Sequence, residues 1–332
     1  MLIACVAVAL AAGACGSTKS HQPQSQSVGT TGAGSGSTHR PSPFAVEATY
    51  TAKSLGLTKP ANLAIGPDGN VYVTDAQQRV TVVSPDGKVI RRWGTPGNGA
   101  GQFHFVQHDN AVPGVAGGIA VASDGRVYVA DSGNARVESF SPSGRFLSSF
   151  GSYGQADGRF VFPQYVVMDS DGNAYVPDDV KETLAKFAPT GTLQWEVGGA
   201  NEKNPDLVGH LHVSSSSVDA HGRIVVVNDD RGRVVYLDSH GNEVDAFGEA
   251  SDFIDGACDA SIDPAGYVFV NSCQEPLESP HYTAVFDRSH HLVATWDPSP
   301  LGWSPRFGPG GETFGLTEDG SIVRLRLTVD EG

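Results

Sequence analysis

His210 and His212 stand two apart, and His104 and His108, with Asp109, share another stretch. In an extended chain, residues two apart point to one side. Two or three such imidazoles suit Zn²⁺ or another divalent cation. The competing reading makes them loop histidines or apolar fillers. Asp75, Asp131, Asp178 and Asp229 each end an apolar, β-branched run. Carboxylates repeated in one structural place can ring a cation such as Ca²⁺ or a polar ligand. Equally, each can cap its own loop or pair with the arginine that follows, such as Arg79 or Arg136. Glu275 and His281 add polar groups in a third stretch, and Trp303 adds aromatic surface. No isolated carboxylate pair suited to general acid–base work stands apart from these, so no catalytic residue is assigned.

A repeat places these residues. Leu63-Ala-Ile-Gly-Pro-Asp-Gly69-Asn-Val-Tyr-Val-Thr-Asp75 recurs as Ile119-Ala-Val-Ala-Ser-Asp-Gly125-Arg-Val-Tyr-Val-Ala-Asp131 and as Val166-Val-Met-Asp-Ser-Asp-Gly172-Asn-Ala-Tyr-Val-Pro-Asp178. Looser copies turn at Gly222, Gly266 and Gly320, so the six glycines are 56, 47, 50, 44 and 54 apart. Asp-Gly between alternating apolar runs signals a hairpin. A second hairpin follows at Gly87, Gly144, Gly191 and Gly241, and the next strand ends Trp93-Gly94, Phe150-Gly151, Val197-Gly198 and Phe247-Gly248. Four antiparallel strands per unit, repeated six times, predict an all-β, six-bladed propeller over 44–332. The last unit is short. Its runs Thr313–Thr317 and Ile322–Leu327 need an outer strand or hairpin from Val46–Leu55, and that pairing closes the ring and removes its open edges.

The Asp-Gly turns are short and uniform, which marks their face as structural. Length varies on the opposite face, in the loops between second and third strands and in the connections between blades. The entry to blade two is about ten residues longer than its blade-three counterpart, over roughly His104 to Gly117, and blade five carries about six extra residues around Glu275 and His281. Variable loops on a rigid scaffold are where binding concentrates. The four histidines, Asp109, the strand-end aspartates and Trp303 all fall on this face. Phe105, Phe162, Tyr165 and Phe307 fall there too, as groove lining or as staples between blades.

The segments Gly101-Gln-Phe103 and Gly158-Arg-Phe160, the Asp-Gly-x-x-Tyr-Val-x-Asp runs, and Arg79-Val80 and Arg136-Val137 resemble the NHL repeat. The resemblance covers about 44–332 and is strongest in units one to three. It implies the propeller fold. NHL-like propellers include exported binding modules, kinase ectodomains, RNA-binding modules and enzymes, so the resemblance implies no single activity. The enzymes include amidating lyases and the lactonase and streptogramin-lyase groups, whose metal and catalytic motifs have no residue-by-residue match here.

Gly is 41 of 332 residues, about 12% against a typical ~7%. The net charge of −15 disfavours a nucleic-acid partner. Leu2 to Ala14 is an uncharged apolar run of signal-peptide length, too short to span a bilayer comfortably. Its end, Ala12-Gly13-Ala14-Cys15, resembles a bacterial lipoprotein signal with Cys15 as the lipidated residue. Plain secretion and a start upstream of Met1 are the alternatives, because no Lys or Arg precedes the run. Residues 1–15 therefore read as signal peptide and 16–43 as a disordered Gly/Ser/Thr tether. The tether holds Lys19 and Arg40 and no acid, so −15 becomes −17 for the propeller alone.

Cys258 and Cys273 flank the fifth hairpin. Their numbers add to 531, against 530 or 531 for directly opposed residues, which predicts a disulfide in an exported chain; two free thiols are the alternative. The expected protein is a surface-anchored binding or scaffold propeller. It takes a protein, peptide or cell-envelope glycan on its loop face and touches the membrane only through its lipid. The alternative is a metal-dependent, lyase- or lactonase-like enzyme with a histidine site at the channel mouth.

Overall fold

The alternating runs pair into six four-stranded antiparallel sheets. The computed structural model describes residues 42–105, 117–178, 180–199, 211–212, 218–219, 221–228, 233–248, 257–272 and 282–328 (for 211, 212, 228, 258 and 272 the backbone only). Blade one comprises Pro60–Ile65, Val71–Asp75, Arg79–Val83 and Val89–Trp93, from the axis outward. Blade two comprises Ile119–Val121, Val127–Asp131, Arg136–Phe140 and Phe146–Phe150. Blade three comprises Val167–Met168, Ala174–Asp178, Thr183–Phe187 and Leu193–Gly198. Blade four comprises Leu211–His212, Ile224–Asn228, Arg233–Leu237 and Glu243–Phe247. Blade five comprises Ala257–Ile262, Val268–Ser272, Thr283–Phe286 and Leu292–Trp296.

Blade six joins the two ends of the domain. Its strands are Arg306–Phe307, Thr313–Leu316, Ile322–Leu327 and, outermost, Phe44–Tyr50. Phe44 pairs with Leu327 and Tyr50 with Ile322, which closes the ring as the sequence predicts. The closing segment is one strand, not a hairpin. After Tyr50 the chain makes a single helical turn, Ala52–Leu55, capped where Thr51 accepts from the Ser54 N–H.

Two readings of register change. The first turn of blade six is Gly308-Pro309-Gly310-Gly311, not the one at Gly320: Gly308 N–H donates to Glu312 O as Gly66 N–H does to Asn70 O. Asp319-Gly320 turns between the second and third strands instead. The true turn carries no Asp-Gly and follows a two-residue strand, so its local signal is weaker than that of its neighbour. In blade five, Asp259 pairs with Asn271 but Ala257 with Ser272, so Cys258 is the extra residue of a β-bulge. Position 273 lies outside the described residues.

The core lies between blades. Six buried clusters each draw on two neighbouring blades, and Val-Tyr-Val runs supply residues to both sides because alternate side chains face opposite ways. A glycine after the outer strand permits this packing in blades one and two. Gly94 and Gly151 have φ of 96° and 87°, and a Cβ there would stand 2.5 and 2.3 Å from the rings of Phe103 and Phe160. The Gly-x-Phe signature is therefore one contact read twice: the bare glycine admits the aromatic ring of the next connection.

Phe44 seals the closure. It is 4% exposed, and its ring centroid lies 5.2 Å from Phe269 and 5.9 Å from Trp296 of blade five. Phe44→Ala is expected to cost about 3 kcal/mol in urea unfolding. Ile90→Ala, on an outer strand and 44% exposed, should cost less than about 0.5 kcal/mol.

Candidate functional site on the loop face

In blades one to three the incoming connection arrives beside the end of the second strand, where a buried aspartate stands. Asp131 accepts from the His104 N–H at 2.6 Å, Asn134 Nδ2 at 2.8 Å and Arg136 Nε at 2.8 Å. Arg136 then donates to the carbonyls of Asn98, Gly99 and Gln102 at 2.9–3.0 Å. Asp75 accepts from Thr58 N–H, Gln77 N–H and Arg79, and Arg79 donates to Gly56 O. Asp178 accepts from the N–H groups of Val161, Phe162 and Lys181, while Lys181 donates to Arg159 O and pairs with Glu196.

Carboxylate and cation thus form a clamp on the incoming chain in blades one to three. Burial pushes Asp131 and Asp178 above the usual carboxylate range, against the N–H groups and cations that pull them down. All three carboxylates are at most 1% exposed. Their oxygens bond to the incoming chain and, in blades one and two, to the arginine that follows. The fourth member of the ring changes: the residue opposite Arg233, as Asp75 is opposite Arg79, is Asn228. Asp229 lies outside the described residues.

His104 is half-buried, and its backbone is fixed by Asp131 and by Gly133 N–H, which donates to His104 O at 2.7 Å. His108, Asp109, His210, Glu275 and His281 lie outside the described residues. His212 lies in the short strand paired with Val227, where only the backbone is described. Among the described residues, no three His, Cys, Asp or Glu side chains gather as a metal site.

The aromatics divide. Phe105 and Phe162 are buried staples, and Phe105 stacks on Phe103 at 5.0 Å. Phe307 is part of an inner strand and borders a cavity on the opposite face, not the loop face. Tyr165 and Trp303 are half-buried and meet edge to face at 6.2 Å and 75°. Tyr165 precedes the inner strand of blade three and Trp303 that of blade six. These blades stand opposite one another in a ring of six, so the pair crosses the axis on the loop side.

Sequence reasoning missed two exposed apolar groups on this face. Tyr153, in the connection into blade three, is 68% exposed, and Val180, in that blade's loop between strands two and three, is 43% exposed. The signal for Tyr153 is an aromatic set in Gly151-Ser-Tyr-Gly154, among residues too small to cover it. On the turn face, His290 is also more than a surface residue: its ring stacks on Phe247 at 4.3 Å and 14°.

A family model for the NHL repeat matches residues 115–140, which hold the first three strands of blade two. The chain carries an NHL repeat. Protein brain tumor of Drosophila melanogaster is 27% identical over 150 residues, 45% of this chain and 13% of that protein, so the likeness concerns a small part of that relative. Virginiamycin B lyase from Staphylococcus aureus superposes with a TM-score of 0.54 at 12% identity, covering 86% of this chain and 90% of that one. A Bacteroides caccae protein of unknown function does so with a TM-score of 0.50 at 17% identity, covering 71% and 80%. At these identities the structural likeness shows the fold.

Glu138 sits beside the Arg136 clamp, fully buried. Gly101 N–H donates to its Oε1, Arg136 lies 3.2 Å away, and Oε2 has no hydrogen-bond partner. Burial pushes its carboxyl from about 4.5 up to about 7. A raised carboxyl holds its proton more tightly in the folded state. Its favourable contribution is therefore complete below pH ~4.5 and is lost as pH rises through about 7. Relative to Glu138→Gln, the unmodified protein should lose on the order of 2 kcal/mol between pH 5 and pH 8 in denaturant titrations.

Proposed function

We propose that this chain is a partner-binding propeller whose loop face takes a protein, peptide or cell-envelope glycan. One observation carries the reading: Tyr153 and Val180 are exposed on the same face as the axial Tyr165–Trp303 pair, around blade three. An exposed tyrosine beside a half-buried tyrosine–tryptophan pair on a rigid frame gives large contact area at small entropic cost, and such residues dominate interface energies. The polar groups beside them are committed to the clamps, which fix the frame without competing for a ligand. The chain is exported, held at the cell surface by a lipid on Cys15 and spaced from it by residues 16–43, in a compartment where Cys258 and Cys273 can be oxidised.

Tyr153→Ser with Val180→Ser should leave thermal unfolding unchanged and weaken capture of an envelope protein, peptide or glycan by about tenfold or more. Capture unaffected by these changes refutes the loop-face reading. Stoichiometric Zn²⁺ in the purified protein, lost in His104→Ala or His210→Ala, would replace it with the metal-dependent enzyme. For the anchor, Cys15→Ser is expected to move the chain from the membrane fraction to the medium; an unchanged distribution, followed by fractionation and immunoblot, refutes lipidation at Cys15.

A further inference from the structure

On the face opposite the loops, the first turns of all six blades enclose a cavity of about 410 Å³ around the axis. One position repeats around its wall: Ile65, Val121, Met168, Val218, Ile262 and Phe307, all apolar. The next position breaks the symmetry. It is Gly66, Ala122 and Gly308 in blades one, two and six, but Asp169, Asp219 and Asp263 in the consecutive blades three, four and five. The equivalence is fixed by hydrogen bonding, since each of these residues donates its N–H to the carbonyl four residues on.

Aspartate at this place is first a turn former. Asp169 accepts from the N–H groups of Asp171 and Asn173, Asp219 from those of His221 and Arg223, and Asp263 from that of Tyr267. The charges differ in what balances them. Asp219 is paired with Arg223 at 2.7 Å. The side-chain partners of Asp169 are neutral, Asn173 Nδ2 at 2.7 Å and Tyr175 Oη at 3.0 Å. Asp263 is 6% exposed and held by backbone amides, while Arg288, whose charge acts on it, directs its Nε to Ala265 O. The cavity is thus apolar around its wall, with carboxylates in its lining only from blades three to five; Pro67, Ser123 and Pro309 line the other half of the rim, where Asp68 and the Arg126-paired Asp124 are the next residues outside the lining.

We propose that this axial cavity binds a small cationic amphiphile: a ring-sized apolar body seated on the apolar wall, with one ammonium or guanidinium group directed to the rim between Asp169 and Asp263. Charge complementarity decides the class. An anion here faces two carboxylates without an ion-paired cation, and a neutral molecule gains only the apolar contact. The site is separate from the partner surface on the loop face and stands or falls without it.

Titration calorimetry of the full chain at pH 7.5 with phenethylammonium, phenethyl alcohol and phenylpropionate tests the site. The ammonium should bind about tenfold more tightly than the alcohol, and the carboxylate should not bind. Asp169→Asn with Asp263→Asn keeps the turn-forming acceptor and should abolish the preference for the ammonium. Ser170→Trp, at an exposed rim position, should block the ammonium and the alcohol alike. If the double variant fails to fold, the preference of the unmodified chain must still fall with added salt. Absence of ammonium binding, equal affinities for ammonium and alcohol, or a preference that survives the double substitution or is unmoved by salt each overturns the proposal.

Discussion

A buried carboxylate holding a cation against incoming backbone carbonyls is the interaction on which the loop face depends. Placing Asp75, Asp131 or Asp178 out of water costs several kcal/mol. Two to three N–H donors and, in blades one and two, a directly bonded arginine offset that cost. The cation is then oriented so that its remaining hydrogens reach the connection from the previous blade. That connection carries Phe103 or Phe160, and those rings fill the space over Gly94 or Gly151. One charged contact therefore sets the path of the chain, the path sets the aromatic staple, and the staple completes the core between two blades.

The same commitment decides what is available to a ligand. A carboxylate with its lone pairs taken by its own blade is a poor metal ligand or general base. Among the described residues, the loop face also presents aromatic and apolar surface at Tyr153, Val180, Tyr165 and Trp303. On the turn face the logic reverses. Turn aspartates also bond to their own backbone, but in blades three and five no ion pair neutralises them, so their charge still acts on the axial cavity.

Much of this was legible in the residues. The repeat, the blade count, the closure by the first segment and the assignment of the loop face all follow from Asp-Gly turns and aromatic-Gly strand ends. These signals are local: a left-handed glycine and a period of two act within a few residues. Where the local signal fades, sequence and structure part. Asp319-Gly320 is the stronger hairpin dipeptide, but the hydrogen bonds put the first turn of blade six at Gly308–Gly311. Asp229 matches the repeat by residue type, but the ladder makes Asn228 the equivalent. The Cys258 register moved because a bulge adds one residue that no composition reveals.

The site was less legible than the fold, because its members are far apart in sequence. Tyr165 and Trp303 meet only because blades three and six face each other across the axis, and nothing in either neighbourhood announces the other. The turn aspartates, by contrast, differ locally: Arg223, four residues after Asp219 in the same turn, neutralises it, where Asn173 and Tyr267 stand four residues after Asp169 and Asp263. The sequence by itself determined the all-β repeat, its six units and the means of closing them, since short-range backbone preferences specify turns and strands. The tertiary structure alone decided which charges are spent on the scaffold and which aromatics meet across the axis. Those outcomes depend on which distant groups are brought within hydrogen-bond or van der Waals reach.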